Sequence, residues 1–329
     1  MAIPLSILDL VSISERSTAR EAIAASMNSA QLADRLGYRR LWFAEHHNTP
    51  NLVASATALL ISQAAERTEK IRVGSGGVML PNHAPLMVAE QYGTLVNMHG
   101  DRIDLGVGRA PGTDMMTAQA LSRSSAEPQA FAQHIYDLQG WFGPDGTAHT
   151  APIVSAVSAN TNVPIWVLGS TVNGASIAGQ LGLPFSLASH FAPDQIDQAI
   201  KVYREAFTTE APTAQIDQPY VMAGINVMVA ETEAQAQREF TVVQQMFQDI
   251  HTGQRRLLQP PVDPATLPGS GALEHSMLRI NAVGTPQTVK AKLEDFVQRT
   301  QADELITVTY AYDPAVRDRS YELLAETWL

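Results

Sequence analysis

The chain has 329 residues, 45% of them hydrophobic and 17% charged, with 33 acidic side chains against 22 lysines and arginines, a net charge of −11. So acidic a surface repels phosphate backbones and anionic lipid, which argues against nucleic acid and membranes as partners. With no cysteine at all, disulfides, thiolate nucleophiles, iron–sulfur clusters and Cys-ligated zinc are removed together.

No Lys or Arg precedes Arg16, so the basic start of a secretory signal is missing and a cytoplasmic location is expected. Leu5–Leu10 reads as a first strand, and Ser17 opens a helix that ends at Gly37, where a C-terminal glycine belongs. Arg40–Ala44 is a second strand, followed by a helix over 53–67. Ile71–Leu80 is a third, rich in glycine, and Pro85 starts the next helix. Ile103–Val107 is a fourth strand.

The rhythm then pauses over 111–163, with one helix near 128–141. It resumes with strands at Ile165–Leu168 and Phe185–Ala188, each followed by a helix. No charged residue stands between Asp145 and Asp194, yet prolines, asparagines and glycines keep breaking that stretch. It never offers the ~18 consecutive apolar residues of a membrane span. A strand at Val221–Val229 leads into a helix near 232–251. Residues 252–280, with Pro260, Pro261, Pro264 and Pro268, predict a mobile excursion. A helix over 285–299, a strand at Glu304–Thr309 and a helix over 314–326 complete the chain. Eight strands each followed by a helix predict a (β/α)8 TIM barrel as a single domain over 1–329, with insertions near 111–163 and 252–280. A Rossmann-type sheet is the second choice.

In a barrel, chemistry sits where strands end. The second strand ends in Glu45-His46-His47-Asn48, and the sixth in Ser189-His190-Phe191. Neighbouring side chains on an extended strand point to opposite faces, so the two adjacent histidines do not chelate one ion. One of them suits a hydrogen-bonded packing role, and the other a general acid or base. Gly108-Arg109 suggests an anion site, because glycine admits close approach and arginine offers a permanently charged fork. Gly169-Ser170-Thr171 at a helix start is a second one. Together they point to a phosphorylated cofactor or substrate. Gly76-Gly77 inside an apolar strand predicts a bulge, an unusual peptide geometry or a flat ligand lying on the backbone. Dinucleotide, P-loop and hydrolase-elbow fingerprints are absent from the sequence.

The segments Leu41–Asn48, Val73–Pro81, Ala89–Gln91 and Arg102–Gly112 follow one another in an order that resembles the bacterial luciferase-like flavin monooxygenases. Asp303–Leu305 and Arg319–Ala325 extend the likeness to nearly the whole chain, except near 113–160 and 252–275. The resemblance implies FMN in its reduced form, supplied by a separate flavin reductase, with O2 and a small apolar organic molecule as substrates. It implies that His46 handles protons beside the flavin. It further implies a cis Gly76–Gly77 peptide under the ring, with Arg109, Gly169 and Ser170 holding the phosphate. Luciferase itself has an acidic residue where Gly169 stands, a threonine where Asn173 stands and a reactive cysteine where Gly108 stands. The family tends to form homodimers, and a homodimer is expected here. The 252–280 excursion is expected to close the pocket as a lid. Three rival readings are a deazaflavin-dependent hydride-transfer enzyme on the same barrel, a flavin-binding protein without turnover, and a metal hydrolase using His46, His83, His190 and Asp9. No metal is expected.

Overall fold

Successive residues of a strand point to opposite faces, and that alternation sorts the whole interior of this molecule. The structure, a computed structural model, describes residues 3–110, 113–121, 130–267 and 277–329. Its elements begin with β1 (Leu5–Asp9), α1 (Ala19–Leu36), β2 (Arg40–Phe43), α2 (Thr57–Glu66), β3 (Arg72–Met79) and α3 (Pro85–His99). They continue with β4 (Ile103–Gly108), α4 (Met115–Leu121), α5 (Phe131–Phe142), β5 (Ile165–Gly169), α6 (Val172–Gln180) and β6 (Phe185–Leu187). The last are α7 (Ile196–Ala206), β7 (Val221–Val229), α8 (Glu233–Thr252), β8 (Asn281–Gly284), α9 (Pro286–Thr300), β9 (Glu304–Val308) and α10 (Pro314–Trp328).

Strands β1 to β7 and β9 pair in parallel, and the β6–β7 and β9–β1 pairings close them into an eight-stranded (β/α)8 barrel. The short strand β8 is an addition that sequence patterning missed, paired to the end of β7 from Asn226 to Val229. At four residues, with one apolar pair between an asparagine and a glycine, it carries no readable period. Helix α4 was missed as well, and none of its residues is buried. Helix α1 starts one residue later than expected from Ser17, because Thr18 and Glu21 form a reciprocal capping box.

Odd-numbered strand residues, such as Ile7, Leu41, Val73, Leu105, Val167, Phe185 and Leu305, join a core shared with the surrounding helices. Even-numbered ones, Leu8, Trp42, Trp166, Met222 and Ile306, fill the barrel itself. The two expected insertions differ in character from a loose loop. Residues 130–163 pack onto α3, where Ser158 Oγ donates to the Ala89 carbonyl at 2.9 Å and Asn97 Nδ2 to that of Val157 at 2.8 Å. In the expected excursion, Leu258 is buried and bridges to Ser14, and Arg256 Nε meets the Asp249 carboxylate at 3.0 Å. Residues 252–267 are therefore tied to the loop after β1 and to α8. The remainder of the excursion, 268–276, lies outside the described residues.

The even-numbered residues at the N-terminal strand ends are charged and form a floor. Arg40 Nη1 lies 2.6 Å from Asp104 Oδ2, and its Nε lies 2.7 Å from Glu304 Oε1. Arg72 supports Asp104 at 2.8 Å, Tyr220 donates to Glu304 at 2.9 Å, and Ser6 donates to Glu304 as well. Burial opposes the Arg40 charge, but the two carboxylates outweigh it and raise its pKa. Above it the guanidinium sits 4.6 Å from the Trp166 ring centre. Removing Arg40 strands two carboxylates in a dry interior, so Arg40→Met should lower the unfolding free energy by about 3–5 kcal/mol. Urea unfolding measures it, and a loss below about 1 kcal/mol would show that the floor is not held by this pairing.

Candidate active site

Three residues beyond β2, the alternation separates the two adjacent histidines. Glu45 is buried, and its Oε1 accepts from His47 Nε2 at 2.8 Å and from His83 Nε2 at 2.9 Å. The Met79 backbone N–H donates to the other Glu45 oxygen at 3.0 Å. This fixes the β2 loop to the end of β3 and commits His47 to structure. His46, with the opposite parity, continues the interior series Trp42 and Ala44. Its backbone is pinned on both sides, N–H to the Ala54 carbonyl at 3.0 Å and C=O to Ser55 Oγ at 2.8 Å. Its Nδ1 is buried without a hydrogen-bond partner. Burial lowers its pKa, the Glu45 charge pulls it back, and the balance stays below the ordinary imidazole value. The imidazole is therefore uncharged at neutral pH.

The neighbouring wall is bare. Gly74, Gly76, Gly106 and Gly108 carry the interior parity of β3 and β4, where other strands bring Trp, Leu or Met. A Cβ on Gly74 would stand 2.8 Å from Trp42 Nε1, and one on Gly76 would stand 2.5 Å from Leu8 Cδ1. A Cβ on Gly77 would lie 2.7 Å from the Gly106 carbonyl oxygen, and the strand register shifts between Ser75 and Val78. The Gly76–Gly77 peptide bond is cis.

Arg109 follows β4 directly, and its guanidinium reaches the first turn of α6. With its amide oxygen turned inward, Asn173 accepts from Arg109 Nη1 at 3.0 Å and Nη2 at 3.1 Å. Thr171, not Ser170, caps α6 by accepting from the Gly174 N–H, and Gln195 takes the Val172 N–H at 3.1 Å. Gly169 passes so close to α6 that a Cβ there would stand 3.3 Å from Gly174 Cα. Ser170 makes no hydrogen bond among the described residues. A cation and a helix N-terminus thus stand side by side, which is the chemistry of an anion site.

His190 lies three residues beyond β6, with the Asn226 side chain donating to its carbonyl at 2.5 Å. Gly224 makes room for its ring, since a Cβ there would collide with Nδ1. Beside the β2 loop a cleft of about 380 Å³ opens, lined by His47, Asn48, Asp114, Met246, Arg255 and Arg256. The metal arrangement drawn from sequence does not assemble. His83 is held by Glu45, and Asp9 faces the Arg317 guanidinium at 4.0 Å. Among the described residues no group of three His, Asp or Glu is placed to hold an ion. None of their helices is long and apolar enough to cross a membrane.

The family model described as luciferase-like monooxygenase matches residues 3–304. The chain belongs to the luciferase-like monooxygenase family. A protein of that name from Escherichia coli (strain K12) is 40% identical over 326 residues, covering 98% of this chain and 96% of the relative. Among solved structures, apo-MsnO8 superimposes with a TM-score of 0.91 at 33% identity, covering 99% of this chain and 98% of that one. The oxygenating constituent of the Pseudomonas putida 3,6-diketocamphane monooxygenase, in complex with FMN, has a TM-score of 0.77 at 18% identity, covering 100% of this chain and 98% of that one. That last likeness is one of fold.

Sequence reasoning missed the Glu45 clamp and the Asn173–Arg109 contact. The spacing of Glu45 and His47 by two residues in the extended segment after β2 was the available signal for the first. Burial pushes the Glu45 carboxyl up, but its hydrogen bonds from His47 and His83 outweigh that and hold it at about 2. A carboxylate depressed on folding contributes stability above its unfolded pKa, which is lost as pH falls through the folded one. Wild type should therefore lose up to roughly 3 kcal/mol from this group between pH 4.5 and 2. Glu45→Gln should unfold with a flatter pH dependence across that window. Parallel curves would place the acid sensitivity elsewhere.

Proposed function

We propose that this monooxygenase binds reduced FMN at the open end of the barrel and uses it with O2 on a small apolar organic substrate, working as one catalytic unit over residues 1–329. The observation that carries the reading is the Arg109 guanidinium set against the α6 N-terminus by Asn173. A phosphate fits this donor set, combining a forked permanent cation with a helix dipole end. The FMN carried by the diketocamphane monooxygenase of the same fold supports the same reading. So does the wall of interior glycines, which leaves backbone where a flat ring needs it.

When bound, reduced FMN supplies the electrons that activate O2. The protein's part is binding, dryness and proton control. Arg109, with the backbone from Gly169 to Thr171, holds the phosphate end. Leu8, Leu168 and Val308 line the interior with apolar surface that keeps water from the reacting atoms. His46 is uncharged at neutral pH, and its Nδ1 is wholly buried, so Nε2 is the atom at which it takes or gives a proton. Reduced FMN comes from a separate flavin reductase, and two copies of the chain pair as a homodimer.

Anaerobic titration with reduced FMN, followed by air-saturated buffer in a stopped-flow absorbance experiment, tests this. Arg109→Leu should weaken reduced FMN binding by about 100-fold, the cost of losing a charge-assisted contact. His46→Asn should bind FMN normally and slow reoxidation by about 100-fold or more. Wild-type reoxidation should also fall as pH drops through the His46 pKa, below 6.5. A chain that ignores reduced FMN but takes a reduced deazaflavin would overturn the cofactor assignment.

A further inference from the structure

In a ring of eight strands, β2 and β6 are four strands apart, so they stand diametrically opposite each other. His46 follows the end of β2 by three residues, and His190 follows the end of β6 by three. Both rings enter the mouth of the barrel. His190 is drawn inward by β7, whose interior-facing Gly224 and Asn226 give its ring space and hold its carbonyl. Ser189 locks the same turn by donating from Oγ to the Gly224 carbonyl at 2.6 Å. A loop residue fixed at this many points is positioned.

His190 is 9% exposed, and its Nδ1 is buried against Gly224 without a hydrogen-bond partner. A buried lone pair without a partner is better tolerated than a buried N–H without one. The ring proton therefore belongs on Nε2, the nitrogen left to face the mouth. Burial foremost, with a smaller contribution from a charge on His46, pushes the pKa of this imidazole down to about 4. The other groups against the ring are Phe191 and Gly224, and Asn226 holds its backbone carbonyl; none of the three carries a charge.

We propose that His190 is a second catalytic residue, its Nε2–H donating a hydrogen bond to an oxygen of the ligand held between the β2 and β6 ends. This rests on the flavin reading above and adds a division of labour to it. His46 changes its protonation as the reaction proceeds. His190 keeps one proton throughout and offers a fixed donor from the opposite wall, at no cost in reorganisation.

Two measurements test it. Nitrogen-15 NMR of the full-length, histidine-labelled chain without cofactor should find His190 with one proton, on Nε2, at pH 7 and still at pH 5.5. In the second, reduced FMN is bound anaerobically and mixed with air-saturated buffer. His190→Leu should then slow reoxidation by about 100-fold. His190→Gln, which returns an N–H near the Nε2 position, should recover to within about tenfold of wild type. FMN affinity should weaken by no more than about tenfold in His190→Leu, well short of the loss in rate, and return to within about threefold in His190→Gln. A doubly protonated ring at pH 7, a proton on Nδ1, or a folded Leu variant with the wild-type rate would each overturn the assignment. Failure of the wild type to bind reduced FMN overturns the flavin reading instead, and the NMR result then decides the state of His190 by itself.

Discussion

Above the floor, two adjacent strands of this barrel place glycines where other strands bring side chains, until Met79 at the end of β3 comes up against Gly108. Gly74 and Gly76 of β3 lie beside β4, whose Gly106 and Gly108 also lack side chains, and the volume they release is what the rest of the structure uses. Lower down, Trp42 and Leu8 occupy it, and the contacts are too close for any added Cβ. Nearer the mouth the same bare backbone lies beside His46 and leads to Arg109. An alanine at Gly106 would run into the Ser75 carbonyl, so the wall is as much a requirement of strand closure as of a ligand.

A barrel hollowed on one side needs to be closed at the other end. The Arg40, Asp104 and Glu304 floor does so with groups drawn from three strands, each carbonyl or carboxylate answered by a donor. Trp42 ties the two levels together, since its Nε1 donates to Asp104 at 3.1 Å while its ring packs edge-on against Trp166 at 5.3 Å. Charge is thus confined to the floor and to the rim, with an apolar layer between them. That separation keeps the mouth dry enough for buried imidazoles to stay uncharged.

Much of this was legible from sequence because it is local. Eight of the strands announce themselves as apolar runs, and the glycine-rich ends of β3, β4 and β5 mark the face where chemistry gathers. Strand alternation set the adjacent histidines on opposite faces, while the resemblance singled out His46 and only the Glu45 contact showed that His47 goes to structure. What could not be read is what depends on closure. Arg40 and Glu304 are 264 residues apart, and only the ring pairing of β1 with β9 makes them partners. Asn173 meets Arg109 because β4 and β5 pair side by side across the long insertion between them. His190 was visible as a strand-end histidine, yet nothing in its neighbours said that Gly224 would give it room. The proline-rich stretch after α8 hid its contacts too. Prolines stop helices and strands, but Leu258 and Arg256 still found buried or paired positions.

In the proposed site Arg109 and the α6 N-terminus recognise a phosphate, and this recognition seats the flavin. Comparing FMN with riboflavin, which has the same ring and no phosphate, isolates that contact. In anaerobic calorimetry the reduced forms should differ by about 100-fold in affinity, with FMN tighter, and Arg109→Leu should erase the difference. Equal affinities for reduced FMN and riboflavin in the wild type would contradict the account, because the ring would then bind without the anchor on which the site is built.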